Sequence, residues 1–313
     1  MTRILCPEPE SFSKKGLEYA SENAEVTCKS LTQKQFDNIA PDYDALLIRF
    51  NTIIGESILN SDSKIKSIIS PTTGLDHIDL EAAKRNKVKV YHLRGEKSFL
   101  KEVSGTAELT IGLMLSLLRK IPQSFEAVKK GEWEPGPFRG NEVSKKKIGV
   151  VGCGRLGVKV SRVAVALGMD VFAYDPNISR FPAGVTQINS LMRLLSKVDI
   201  LTLHTPLLSD TKHLISTKEI EQMKDGVVII NTSRGSIIST QAFLDGLEKG
   251  KIKGAAIDVM EDEHSIGKTS HLLIDYANNH DNLLITPHIG GATYESVEKT
   301  DLFILKKYFS EVE

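Results

Sequence analysis

The sequence is poor in several features that would classify it at a glance. Only three of its 313 residues are cysteine (Cys6, Cys28 and Cys153). They form no CxxC motif and cannot all pair with one another, which excludes a disulfide scaffold and predicts reduced thiols in a cytoplasmic compartment. A charge excess is missing too: 40 basic residues stand against 40 acidic ones. No overall positive field therefore exists to hold nucleic acid or an anionic membrane. The basic run Lys145–Lys147 is short and reads as a solvated approach to a strand. Long apolar runs are also absent. The most apolar stretch, Leu109–Leu118, reaches half of the roughly 20 residues a membrane-spanning helix needs. The start, Met1-Thr2-Arg3-Ile4-Leu5, leads into a prolyl turn and lacks the apolar segment of a signal peptide. His264, His271 and His280 show no HExxH or similar spacing, so no metal site is expected.

What remains is an ordinary globular composition, 41% apolar and 26% charged, in a chain long enough for two domains. Short β-rich runs alternate with polar, helix-compatible ones. Strands are predicted at Arg3–Cys6, Ala45–Arg49, Ser67–Ser70 and Lys87–Tyr91, with helices over Leu31–Ile39 and Asp79–Asn86. From Glu102 to Lys130 a dense apolar run predicts one long buried helix, followed by an irregular connector, Gly131–Asn141, that carries Trp133. A second alternating series has strands at Ile148–Val151, Val171–Tyr174, Ile200–Leu203, Val227–Asn231, Gly254–Ile257 and Leu283–Thr286. Such alternation predicts α/β architecture with parallel, doubly wound sheets. Thr293–Glu313 reads as a helix that returns to the first domain. The expected division is residues 1–101 plus 293–313, and residues 102–292.

The second series opens on Gly152-Cys153-Gly154-Arg155-Leu156-Gly157, directly after the strand Ile148–Val151. Val160, Val163, Ala164 and Leu167 then mark one apolar helical face at i, i+3, i+4 and i+7. In this setting Gly152 permits the tight turn, Gly154 lets a pyrophosphate approach the backbone and Gly157 lets helix pack on strand. The helix N-terminus favours the phosphate charge. A plain glycine turn would explain the loop alone, but the next strand ends at Asp175. That is the place for an acid that accepts both ribose hydroxyls and repels a 2′-phosphate. NAD is expected over NADP, with Arg180 the one nearby residue that softens the preference.

Three ionisable residues follow later strands, where α/β sheets place ligands. They are Arg234 in Asn231-Thr232-Ser233-Arg234-Gly235, Glu263, and His288 in Thr286-Pro287-His288-Ile289-Gly290-Gly291. Singly, each is more commonly an ion pair or a satisfied structural residue. Together they suit the reduction of a 2-oxo acid. Arg234 would grip the carboxylate bidentately, His288 would give or take the proton, and Glu263 would orient the imidazole and favour its charged form.

With these motifs in order, the chain resembles the D-isomer-specific 2-hydroxyacid dehydrogenase family, and the resemblance covers nearly all of it. Further matching segments are Gly74–Asp79, Thr106–Leu109, His204–Leu207 and Ala256–Val259. The resemblance implies a Rossmann NAD-binding domain beside a smaller flavodoxin-like substrate domain, and a homodimer built from the region between Glu102 and Trp133. It implies Arg234, Glu263 and His288 as catalytic residues. It adds Arg155, Leu156, Asp175, Thr205, Pro206, Thr232, Ser233, Arg234 and Asp258 as cofactor contacts. The backbone around Thr73-Gly74-Leu75 would hold the substrate carboxylate. Arg49 is a candidate for a second anionic group such as a phosphate, with a structural ion pair as the alternative. Candidate substrates are 3-phosphoglycerate, glycerate/hydroxypyruvate or a related small acid.

The sequence departs from the family at Phe50-Asn51, where small residues are usual, at His264, where a proline commonly follows the acid, and in the polar stretch Ser265–Asn282. A carboxyl-terminal regulatory domain is not expected. Two rival readings stay open: an NAD(H)-sensing interaction protein on the same fold, and a formate dehydrogenase, against which Glu263 argues.

Overall fold

The computed structural model describes residues 1–263 and 271–312. The chain divides into two compact units, Met1–Val103 with Ala292–Glu313, and Ser104–Gly291. Each is built on one sheet whose strands all pair in parallel. Among the described residues no helix is long and apolar enough to cross a membrane.

The first unit's sheet contains β1 (Arg3–Cys6), β2 (Glu25–Cys28), β3 (Ala45–Leu47), β4 (Ser67–Ser70) and β5 (Lys89–His92), in the order β2-β1-β3-β4-β5. β3 and β4 are buried throughout, as strands covered on both faces must be. One covering layer contains Ile304, Leu305, Tyr308 and Phe309 of the helix Tyr294–Val312, packed with Ile4, Leu47 and Tyr91. The opposite layer contains Phe36 and Ala82 from two further helices.

The second unit has β6 (Lys147–Val151), β7 (Asp170–Tyr174), β8 (Val185–Gln187), β9 (Ile200–Leu203), β10 (Val227–Asn231), β11 (Ile252–Ile257) and β12 (Leu283–Ile285). Their order is β12-β11-β10-β9-β6-β7-β8. The order reverses beside β6, so loops after β6 and β9 flank the switch point at which such sheets bind ligands.

Two expectations need correction. The long helix over 102–130 is two helices, Gly105–Leu118 and Ile121–Lys129. They are separated at Lys120, whose φ of 52° is left-handed, and Pro122 suits the first turn of the second helix, where no N–H is needed. Strands β2 and β8, absent from the predicted set, lie at sheet edges. Their half-exposed sequences carry no apolar run that would mark them.

Candidate active site

In the second unit the glycine loop closes between β6 and the helix Arg155–Ala166. A Cβ on Gly157 would lie 2.0 Å from the carbonyl oxygen of Gly152, so only glycine lets the helix start against the loop. Nothing lies within 4 Å of the Cβ direction of Gly154, which leaves the cradle open on that side. First-turn N–H groups of a helix have no carbonyl of their own helix to meet, and here they border that space. Arg155 and Leu156 are half-buried in the first turn. Burial works against the charge of the Arg155 guanidinium.

Asp175 follows β7, and its Oδ2 accepts the Cys153 N–H at 2.9 Å, which fixes the carboxylate at the mouth of the loop. Its Oδ1 accepts the Asn177 N–H at 2.9 Å. After β9, the Thr205 hydroxyl is buried with no hydrogen-bond partner, while Pro206 is exposed. An orphaned hydroxyl, an open glycine cradle, a helix start and an acid beside them fit a bound dinucleotide.

The neighbouring His204 donates its backbone N–H to the Val151 carbonyl. Its Nε2 meets the Thr202 hydroxyl at 2.9 Å and its Nδ1 is buried without a partner. Burial pushes the imidazole pKa down to about 4, so the ring is neutral.

The loops after β10, β11 and β12 carry the ionisable trio. Asn231 shapes the first. Its Oδ1 accepts both the Ser233 N–H and hydroxyl, at 3.1 and 2.8 Å, and its amide donates to the Arg234 carbonyl at 3.0 Å. The Thr232 hydroxyl pairs with that of Thr110 at 2.7 Å. Both hydroxyls expected at the cofactor, on Thr232 and Ser233, thus also brace the loop. Arg234 donates from Nη1 to the Ser233 carbonyl at 2.7 Å. The next residue must be glycine, because a Cβ on Gly235 would lie 2.0 Å from the Met260 carbonyl carbon.

His288 and Glu263, 25 residues apart in sequence, meet through Nδ1 and Oε1 at 2.7 Å. Because a carboxylate only accepts, Nδ1 carries a proton. Glu263 Oε2 also accepts the Met260 N–H, at 3.3 Å. His288 adopts a left-handed backbone with φ 54°, a conformation that costs roughly 1–2 kcal/mol for a non-glycine residue. Asp258 holds it there. Its Oδ1 accepts the Thr286 hydroxyl at 2.6 Å and the Ile289 N–H at 2.9 Å, its Oδ2 accepts the Gly290 N–H at 2.8 Å, and its carbonyl accepts the His288 N–H at 2.9 Å. Asp258 is 1% exposed, and burial raises its carboxyl pKa despite these bonds. Expected as a cofactor contact, it also positions the His288 loop. Thr106 adds a second tie, donating to the Gly290 carbonyl at 3.0 Å. Sequence reading missed Thr106 and Thr110 as supports, because pairs 184 and 122 residues apart leave no local trace; it missed Asn231 too, although that residue's partners lie two and three positions on.

In the first unit, the Thr73, Gly74 and Leu75 N–H groups form no hydrogen bond among the described residues. The Leu75 side chain is part of the core, so only its main chain is available. Arg49 is not placed as a free substrate cation. Its Nη2 pairs with buried Asp301 Oδ1 at 2.5 Å and with the Thr300 hydroxyl at 3.1 Å. Asp301 is anchored in turn by the Ser13 N–H and hydroxyl. His264 lies outside the described residues. His271 caps the helix Leu272–Ala277 and His280 stacks on Tyr276, so both have structural work. Among the described residues no group of three His, Cys, Asp or Glu side chains is arranged to hold a metal ion.

The fold and glycine loop define an NAD-binding protein, and the relatives the chain matches are oxidoreductases acting on CH–OH groups. Residues 111–290 match the family model described as D-isomer specific 2-hydroxyacid dehydrogenase, NAD binding domain. The chain is 33% identical over 291 residues to the hydroxypyruvate reductase of Thermotoga maritima, covering 93% of this chain and 92% of that one. It is 35% identical over 300 residues to the D-3-phosphoglycerate dehydrogenase of Methanocaldococcus jannaschii, covering 95% of this chain but only 55% of that longer protein. The Aquifex aeolicus D-lactate dehydrogenase, solved with NAD and lactic acid, superposes with a TM-score of 0.83 at 26% identity, over 99% of this chain and 95% of that one. The chain belongs to the D-isomer specific 2-hydroxyacid dehydrogenase family.

Proposed function

We propose that the protein interconverts a small, singly anionic D-2-hydroxy acid and its 2-oxo acid, with hydroxypyruvate or a close relative as the acid reduced. The observation that carries this reading is the His288–Glu263 pair, 2.7 Å apart on adjacent loops at the carboxyl ends of the second unit's strands. NAD, when bound, supplies or accepts the hydride. The Arg234 guanidinium holds the substrate carboxylate and draws charge from the carbonyl. Glu263 holds Nδ1–H, which leaves Nε2 of His288 as the atom that gives a proton to the carbonyl oxygen. In oxidation the same nitrogen takes the proton back. The unbonded N–H groups of Thr73, Gly74 and Leu75, in the first unit, suit an anionic group such as a carboxylate. Asp175 would accept the ribose hydroxyls and Thr205 would hydrogen-bond the cofactor.

Arg49 guides the choice among acids. Its charge is already balanced by Asp301 inside the first unit, which argues against a second, phosphate anion on the substrate. The hydroxypyruvate reductase among the relatives, matched over nearly its whole length, is consistent with that. We also propose a homodimer. Ile121, Phe125 and Val128 form an exposed i, i+4, i+7 apolar stripe, and Trp133 is 86% exposed, a surface that a partner subunit would cover. A cytoplasmic location fits three free cysteine thiols.

The test is NADH oxidation with hydroxypyruvate, glyoxylate, pyruvate and 3-phosphohydroxypyruvate. The highest kcat/KM is expected for an unphosphorylated acid. Preference for the phosphorylated one would overturn the substrate choice, and no turnover with any would overturn the enzymatic assignment. Sedimentation should give twice the 34.5 kDa chain mass, and Phe125→Asp should give monomers.

A further inference from the structure

Two of the three thiols stand side by side at the edge of the first unit's sheet. β1 and β2 pair in parallel with Cys6 opposite Cys28. Alternation along the strands puts Ile4, Cys6 and Val26 on one face, packed in one apolar cluster, while Leu5 points into the opposite one. Cys28, two residues beyond Val26, shares the face of its partner Cys6. Adjacent strands lie about 4.8 Å apart, within the roughly 4.4–6.8 Å Cα separation that a disulfide spans. The two residues differ in access. Cys6 is fully buried, whereas Cys28 ends the edge strand and is exposed.

This asymmetry gives the thiols different chemistry. The Cys28 thiol beside it, and then burial, hold Cys6 in its neutral S–H form. That neighbouring S–H in turn favours the Cys28 thiolate and lowers its pKa to about 7. An exposed thiolate with a second thiol opposite it on the neighbouring strand is the usual arrangement of an attacking and a resolving cysteine.

We propose that Cys6 and Cys28 form an oxidisable dithiol that closes to a disulfide between β1 and β2 on reaction with a hydroperoxide. The Cys28 sulfur attacks the peroxide and the O–O bond breaks. Cys28 becomes a sulfenic acid, and the leaving oxygen takes up a proton as alcohol or water. The Cys6 sulfur then attacks the Cys28 sulfur: the S–S bond forms, the S–O bond breaks, and the hydroxide leaves as water with the Cys6 proton. Two electrons pass from the sulfurs to the peroxide.

The pair is coupled to a buried clamp. Two residues after Cys6, the Glu8 carboxylate accepts the Arg49 N–H at 2.8 Å and the Asn51 N–H at 3.3 Å. The Cys6 and Pro7 carbonyls accept Lys29 and Leu31 N–H groups, which fastens the same strand ends together. Closure of the disulfide therefore acts on the segment that supports Arg49–Asn51.

The test uses the full chain, reduced, then exposed to hydrogen peroxide at pH 7, alkylated under denaturing conditions and mapped by peptide mass. A Cys6–Cys28 cross-linked peptide is expected, reversible by dithiothreitol, with Cys153 still alkylated. Cys28→Ser should abolish it. Cys6→Ala should leave Cys28 as a sulfenic acid trapped by dimedone. The same variant should slow Cys28 alkylation at pH 7 roughly threefold: the thiolate fraction falls about fifteenfold as the pKa returns to the ordinary ~8.5, offset by higher intrinsic nucleophilicity. Oxidation of wild-type Cys28 to sulfenic or sulfinic acid with Cys6 still alkylated, a Cys28–Cys28 link between chains, or no reaction would each overturn the proposal. The wild-type and Cys28→Ser measurements decide it even if Cys6→Ala fails to fold.

Discussion

Replacing Gly235 by alanine tests whether the two halves of the proposed acid–base and carboxylate site are held in register by main-chain contact. The new Cβ would stand 2.0 Å from the Met260 carbonyl carbon, 2.2 Å from the Glu261 nitrogen and 2.3 Å from the Met260 oxygen. Ordinary contact begins near 3.4 Å, so the loops must part by about 1.4 Å. Every opposing atom is backbone, which leaves no rotamer to absorb the shift. One loop carries Arg234 at the adjacent position, and the other reaches Glu263 two residues beyond Glu261. A displacement of about 1 Å in a reacting constellation costs on the order of 100-fold in rate, or ~2.7 kcal/mol of transition-state stabilisation. We expect kcat/KM for hydroxypyruvate to fall about 100-fold. NADH binding, followed by fluorescence, should change little, because the glycine loop and Asp175 lie on other strands. Gly55→Ala is the control, since nothing lies within 4 Å of its Cβ direction. A Gly235→Ala protein with kcat/KM within threefold of wild type would refute the reasoning.

Three further outcomes follow from the same geometry. His204 is neutral with a pKa near 4 in the folded chain against about 6.5 unfolded, so its stabilising contribution is complete above pH 6.5 and is lost as pH falls towards 4. Between pH 7 and 5 that loss is at most ~2 kcal/mol. His204→Gln should show a smaller drop in urea midpoint over this interval, and an equal drop in both proteins would show the ring is not the cause. Asp258→Asn removes charge-assisted acceptors under the His288 loop. It should cost about 1.5–3 kcal/mol of stability and lower kcat, measured by thermal unfolding and turnover; unchanged kcat would deny it a positioning role. Asp175→Ala should narrow the NADH/NADPH preference in kcat/KM, and an unchanged ratio would remove it from the ribose site.

The residues that were legible in the sequence are those whose neighbours along the chain fix their setting. Gly152–Gly157 could be located because a buried strand precedes it and an amphipathic helix follows, and Asp175 because β7 ends there. The ends of β10, β11 and β12 likewise marked the loops of Arg234, Glu263 and His288. Sequence could not show that Nδ1 of His288 faces Glu263, because that contact depends on the lateral register of β11 and β12. The Arg49–Asp301 pair was illegible for the same reason: it joins positions 252 residues apart. Edge strands β2 and β8 were lost because exposed edges need no apolar pattern. The break at Lys120 was lost because Leu118 and Ile121 continue a helical run across it.

The loops that present Arg234 and His288 keep their shape largely through other residues. Asn231 braces the first loop, Asp258 and Thr106 the second, and each acts largely on main-chain groups. Losing either functional side chain would therefore remove the reaction without removing the loop, and the glycine cradle on β6 shares none of these bonds. A descendant of this chain could give up chemistry through a single substitution, yet still fold and still respond to NAD. The route from enzyme to a catalytically silent nucleotide-binding protein on this scaffold is then one mutation long.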